Sequence, residues 1–113
     1  MNTIKNQIQL IGHLGADPEV RQFEGGKTKA SFTMATSDSY VNQKGEKIQN
    51  TQWHNIIVWG PQTKIVENYL KKGSEVAIQG KLTYRNYDDK EGNKKYLTEI
   101  ILSEILLMEK KSN

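Results

Sequence analysis

The sequence predicts an all-β domain, a barrel of five strands with one helix between the third and the fourth. Turn signals at Gly25-Gly26, Gln43-Lys44-Gly45, Lys72-Gly73 and Glu91-Gly92-Asn93 cut the chain into extended segments. Within those segments apolar and polar residues alternate with the two-residue period of strands that bury one face. Only the stretch from Pro61 to Lys72 departs from that period toward helical spacing.

The first strand covers Asn6 to Leu14, where Ile8, Leu10 and Leu14 alternate with Gln7, Gln9 and His13. Gly12 interrupts the apolar face, as suits a barrel corner or a close backbone approach. Beyond Pro18, a short extension from Glu19 to Phe23 leads into the Gly25-Gly26 turn. The second strand runs from Lys29 to Tyr40, with Ala30, Phe32, Met34 and Thr36 on one side and Ser31, Thr33 and Ala35 on the other. In the third, Asn50 to Trp59, His54, Ile56 and Val58 oppose Trp53, Asn55, Ile57 and Trp59. Pro61 suits the first position of the helix, where its missing N–H has no helical partner. Ile65, Tyr69 and Lys72 share a helical face beside Val66 and Leu70, and Gly73 is placed to end it.

The fourth strand runs from Glu75 to Tyr87. It sets Val76, Ile78, Leu82 and Tyr84 on one side, with Gly80 as a second corner, and Ala77, Gln79, Lys81, Thr83, Arg85 and Tyr87 on the other. A polar tip from Asp88 to Lys95 leads into the fifth strand, Tyr96 to Met108. Three strands, a helix and two strands is the order of the Greek-key barrel called the OB-fold. No repeat or linker divides the chain, so residues 1–113 read as one domain.

Composition narrows the function. At 35% hydrophobic residues, the chain has little apolar material beyond one modest core, so an exposed ring needs a reason. The absence of cysteine excludes disulfides, thiolate metal sites and a cysteine nucleophile. His13 and His54 are the only histidines, too few for a clustered metal site, and no phosphate-cradling glycine loop or nucleophile elbow is present. Neither an enzyme, nor a metal, nor a cofactor is expected. The opening MNTIKNQIQLIG lacks the pattern of a secretory signal. The longest apolar runs are strand-sized, short of the roughly 20 residues that cross a bilayer. A soluble, cytoplasmic protein with no membrane partner is the expectation.

Charge and aromatics point toward a polyanion. The net charge is only +3, but all of the 16 basic residues except Arg21 and Arg85 are lysines. Lysine suits loose phosphate contact, whereas forked readout of base edges calls on arginine. Trp53 and Trp59 are six residues apart on one strand, so both project from one face, separated by roughly 20 Å. Tyr40 and Tyr87 stand near polar loop tips. Lys44 and Lys47 lie in the connection at 41–49, Lys90, Lys94 and Lys95 around the second tip, and Lys81 and Arg85 on the outward side of the fourth strand. Asp88, Asp89 and Glu91 nearly neutralise that tip, which makes a cluster of phosphate contacts rather than a strong positive funnel. Rings at strand ends among lysines are what unpaired nucleic acid needs, because every base has a face to stack and duplexes hide it. The same rings could instead form a subunit interface, and stacking alone does not separate DNA from RNA.

The segments NQIQLIGHLGADPEVR at 6–21, ASFTMATSDSY at 30–40, TQWHNIIVWG at 51–60, NYLKKGSEVAIQGKL at 68–82 and RNYDDKEGNKKYLTEI at 85–100 together resemble the bacterial single-stranded DNA-binding protein family. The resemblance implies an OB-fold that binds single-stranded DNA without sequence preference in replication, recombination and repair, at the nucleoid. It implies a homo-oligomer, commonly a tetramer. It places base stacking on Tyr40, Trp53, Trp59 and Tyr87, with tyrosine at two positions where many relatives carry tryptophan or phenylalanine. Strand one, with Ile8, and His54 fall where the family builds subunit contacts, although His54 reads equally as a hydrogen-bonded core histidine. Relatives usually carry a long tail with an acidic tip that recruits other proteins. This sequence runs MEKKSN directly after the fifth strand, so tail-mediated recruitment is not expected of it.

Overall fold

A computed structural model describes residues 4–108, and the expected tail-free end at 109–113 lies outside the described residues. The strands are β1 (Ile8–Leu14), β2 (Glu19–Gln22), β3 (Thr28–Val41), β4 (Lys47–Trp59), β5 (Glu75–Asp88) and β6 (Lys94–Leu107), with helix α1 (Thr63–Tyr69) between β4 and β5. They hydrogen-bond in the order β1-β5-β6-β4-β3-β2, and β3 pairs back onto β1 to close five of them into a barrel. All pairings are antiparallel except β4 with β6, joined in parallel at Ile56–Ile100 and Ile57–Ile101. This is the architecture expected of an OB-fold, with β2 as a short flap on the outer edge of β3.

Alternation explains the closure. The inward residues Leu14, Phe32, Met34, Ile56, Val58, Val76, Ile78, Ile100 and Leu102 form one buried cluster, which α1 and its end supplement with Val66 and Leu70. Each fully buried aliphatic side chain contributes about 1.5–3 kcal/mol. Both interrupting glycines sit where strands cross most closely. A Cβ at Gly12 would overlap the Ala35 carbonyl oxygen, and one at Gly80 the Ile101 carbonyl oxygen. At Gly80 the β5–β6 register also slips, leaving Ser103 as the extra residue of a bulge that bends the sheet.

The helix is shorter than its spacing suggested. A 3-10 turn at Gly60–Gln62 holds Pro61, and α1 ends at Tyr69 because Leu70 is already extended. Gly73 therefore does not end the helix. It takes a positive φ in a separate turn, in which the Ser74 N–H donates to the Lys71 carbonyl and the Gly73 N–H to Leu14. The buried face is Thr63, Val66 and Leu70, while Tyr69 and Ile65 lie outside. Asp17 accepts from the Lys72 backbone N–H at 2.8 Å, so the Asp17-Pro18 turn anchors this segment.

Two hairpins run past the barrel. The radius of gyration is 16.5 Å, against roughly 13 Å for a compact chain of this length. The β3–β4 arm continues to the pair Val41–Lys47, so its connection is 42–46, shorter than the polar stretch suggested. The β5–β6 arm ends at Asp88–Lys94. Both tips close alike. Asn42 Oδ1 accepts from the N–H groups of Lys44 and Glu46, and Asp89 Oδ1 from those of Glu91 and Asn93. Removing either side chain leaves two amides to water, and Asp89→Ala should cost about 1 kcal/mol in a urea titration.

Candidate nucleic-acid interface

The outward face of β4 carries the exposed rings. Trp53 is 62% exposed and Trp59 46%, although both stand on a strand that also holds three buried aliphatics, Ile56, Ile57 and Val58. Position 15 has to be glycine for Trp53 to lie where it does, since a Cβ there would overlap the indole. Trp59 stands across from Lys29 on β3, whose ammonium lies 5.5 Å from the indole centroid in a cation–π contact.

Between the tryptophans the outward positions are Asn55 and Ile57. Alternation placed Ile57 outside with them, but it is only 5% exposed. It forms part of the floor of a cleft whose walls include Asp17, Glu19, Arg85 and Glu99. Glu99 is nearly buried, and Arg85 Nη2 holds its carboxylate at 3.4 Å. Arg85 thus neutralises a buried acid first, with its remaining donors toward solvent.

The other expected contacts distribute unevenly. Tyr87 is exposed on the outward side of its arm, opposite Lys95, whose Nζ is 4.0 Å from Asp89. Register puts Lys94 opposite Asp88 on the other side. Lys44 and Lys90 are exposed in the hairpin tips, and Lys47 is exposed at the start of β4, on the same side as Trp53. Lys81 lies apart, in a cleft beside Lys5 and Ser103. Tyr40 is exposed but pairs with Ile48, which puts it on the opposite side of the β3–β4 ribbon from Trp53. Three of the four expected rings therefore share the outward sense of the sheet, and Tyr40 reaches them only as far as the strong twist of a two-stranded arm carries it.

Further rings are exposed. Tyr84 shares the apolar period of Val76, Ile78 and Leu82, yet it is exposed because β5 has left the barrel by then. Tyr96 is exposed on the same side of the arm. Phe23 packs against Trp59 with ring centroids 6.2 Å apart. Its sequence signal was an apolar ring between Gln22 and Glu24 with nothing to bury it.

The two expected interface residues differ from each other. Ile8 faces inward and packs against the core, so the outward apolar residue of β1 is Ile11. His54 is half-buried, and its Nε2 lies 3.0 Å from Thr36 Oγ1. Desolvation lowers its pKa below the usual histidine range. The unfolded chain then binds the proton more readily, so His54 contributes stability above about pH 6.5 that is lost as pH falls through the folded value. Urea midpoints should drop from pH 7.5 to pH 5, and His54→Asn should flatten that part of the profile.

The sequence profile of the single-strand binding protein family matches residues 5–108. The chain belongs to that family. Among curated relatives it is 41% identical over 109 residues to single-stranded DNA-binding protein 1 of Xylella fastidiosa, covering 96% of this chain and 80% of that one. It is 43% identical over 104 residues to the Chlorobaculum tepidum protein of the same name, covering 91% of this chain and 64% of that one. Among solved structures, the Plasmodium falciparum protein in complex with single-stranded DNA superposes with a TM-score of 0.85 at 32% identity, covering 92% of this chain and 95% of that one. The Thermus aquaticus single-stranded DNA-binding protein, as a deletion mutant, gives 0.79 at 29% identity over 92% of this chain and 50% of its own. Both neighbours support the OB-fold. Members of the family are DNA-binding proteins without catalytic activity, in agreement with the expected non-enzyme. Among the described residues no helix is long and apolar enough to cross a membrane.

Proposed function

We propose that this chain binds single-stranded DNA without sequence preference and so protects and organises unpaired DNA in replication, recombination and repair. The observation that carries this reading is the pair of exposed indoles on the outward face of β4, a strand whose own arm bears exposed lysines. Bases stack on Trp53, Trp59 and Tyr87, with Tyr40 engaging strands that pass over the first arm. Lys44, Lys47, Lys90, Lys94 and Lys95 neutralise phosphates, and Arg85 and Lys81 add contacts lower on β5. The family membership and a neighbour solved with single-stranded DNA favour this ligand.

Binding should be tighter to a dT oligomer than to duplex DNA of equal length, with log affinity falling by about 0.7 per neutralised phosphate per log unit of salt. Equal affinity for duplex would contradict stacking. An rU oligomer bound as tightly as dT would move the assignment toward RNA.

The chain assembles as a homotetramer in this reading. Ile11, Ala77 and Leu106 form a cross-strand apolar row on the outer face of β1, β5 and β6. Residues 8–12 of β1 pair with β5 along one edge, and among the described residues the pairing with β3 on the other edge is confined to His13 and Leu14. An open edge beside an apolar face invites a second copy, and linked copies raise effective concentration along one strand of DNA. The variant Ile11→Lys/Leu106→Lys should lower the mass measured by light scattering while the fold persists, and an unchanged mass would remove this face from the assembly.

A further inference from the structure

The track implied by Trp53 and Trp59 does not have to stop at Trp59. A cleft of about 820 Å³ opens next to the Trp59 ring, at the end of β4 away from the arm tip. That size lies in the range of built ligand sites, roughly 300–1,000 Å³. Gly26 and Gly60 line it, and neither bears a side chain to fill it. At both positions a Cβ would meet nothing within 4 Å. Lys27 comes from the turn before β3 and Lys64 from α1, so two ammonium-bearing side chains line the cleft from different elements. Among the described residues neither is held in an ion pair.

The rim is aromatic. Phe23 is 43% exposed, and its ring is tilted 36° to that of Trp59. A phenyl ring at the end of a four-residue strand would ordinarily be buried or replaced by a polar residue. Here Trp59 and Phe23 make one bent stacking surface, held by the hydrogen bond from the Phe23 N–H to the Lys27 carbonyl at 2.7 Å. The Lys29 ammonium adds a third cation beside the same indole.

We propose that Phe23, Lys27 and Lys64 form a further nucleotide subsite beside Trp59, in which the base after the one on Trp59 stacks on Phe23 while its phosphate lies between Lys27 and Lys64. The inference rests on the single-stranded DNA reading and lengthens its track by one nucleotide beyond the four expected rings. Lys29 stays with the indole in the free protein and turns to the neighbouring phosphate when a base arrives.

Three variants of the full chain test this by titration with dT oligomers across a salt series. Phe23→Ala should weaken binding at least about five-fold, the low end of the stacking range. Lys27→Ala/Lys64→Ala should weaken it further at low salt and reduce the salt slope by about 0.7, for the one phosphate held between them. These lysines are surface residues, so the double variant stays informative if Phe23→Ala disturbs the flap, which circular dichroism would report. Trp53→Ala is the reference. If Trp53→Ala weakens binding while the double lysine variant keeps the parental affinity and slope, the subsite is wrong and the main track stands. If Trp53→Ala also binds like the parent, the reading beneath the proposal fails with it.

Discussion

Replacing Trp53 with alanine should lower the affinity for dT oligomers by about 1–3 kcal/mol while leaving the barrel folded. The expectation follows from where the ring spends its surface. Trp53 is 62% exposed, and its inner contact is the bare backbone of Gly15. Deleting it removes little core packing, so the urea midpoint should move far less than the binding curve. Trp53→Phe keeps a ring and should recover part of the loss. Trp59→Ala should cost less than Trp53→Ala, because Lys29 and Phe23 already occupy part of the Trp59 surface. The two sites share no partner, so their losses should add within about 0.5 kcal/mol in the double variant. Circular dichroism and a urea titration on each variant separate lost stacking from lost fold.

The second large effect is on closure of the barrel. Gly12→Ala should destabilise the protein by about 3 kcal/mol, the upper end of what overpacking costs. The added methyl group meets the carbonyl oxygen of Ala35, which is backbone and cannot rotate aside. Either β1 moves away from β3, losing the His13–Ala35 and Leu14–Met34 pairs that close the barrel, or the strain stays in place. Against a total stability of about 5–15 kcal/mol, that is a large share. Ser39→Ala, on the exposed arm, is the matched control and should stay within about 0.5 kcal/mol of the parent.

These two positions also show what the sequence could and could not reveal. Gly12 and Gly80 were legible as corners because each breaks an apolar period that resumes after it, and the fold class followed from the turns and the single helical stretch. Trp53 and Trp59 were legible because their neighbours Ile56 and Val58 fixed which side was the core. Local period failed where tertiary structure changes the environment along one strand. Tyr84 keeps the inward phase of β5 but stands beyond the barrel, and Ile57 keeps the outward phase of β4 but lies in a cleft that other elements wall in. Tyr40 was grouped with the tryptophans by its nearness to a loop, yet pairing with Ile48 sets it on the other side of the ribbon. Arg85 looked like a free cation because its partner Glu99 is 14 residues away on the adjacent strand. The Phe23–Lys29–Trp59 cluster comes from three different elements, and no spacing rule within one element brings them together.

Intrinsic fluorescence addresses the central claim most directly, because the chain has only two tryptophans and both lie on the face assigned to the bases. Adding poly-dT at low salt should quench their emission strongly and saturably, and added salt should restore it. An unchanged spectrum at saturating poly-dT would mean that bases do not reach the indoles, and the outward face of β4 would have to serve another purpose.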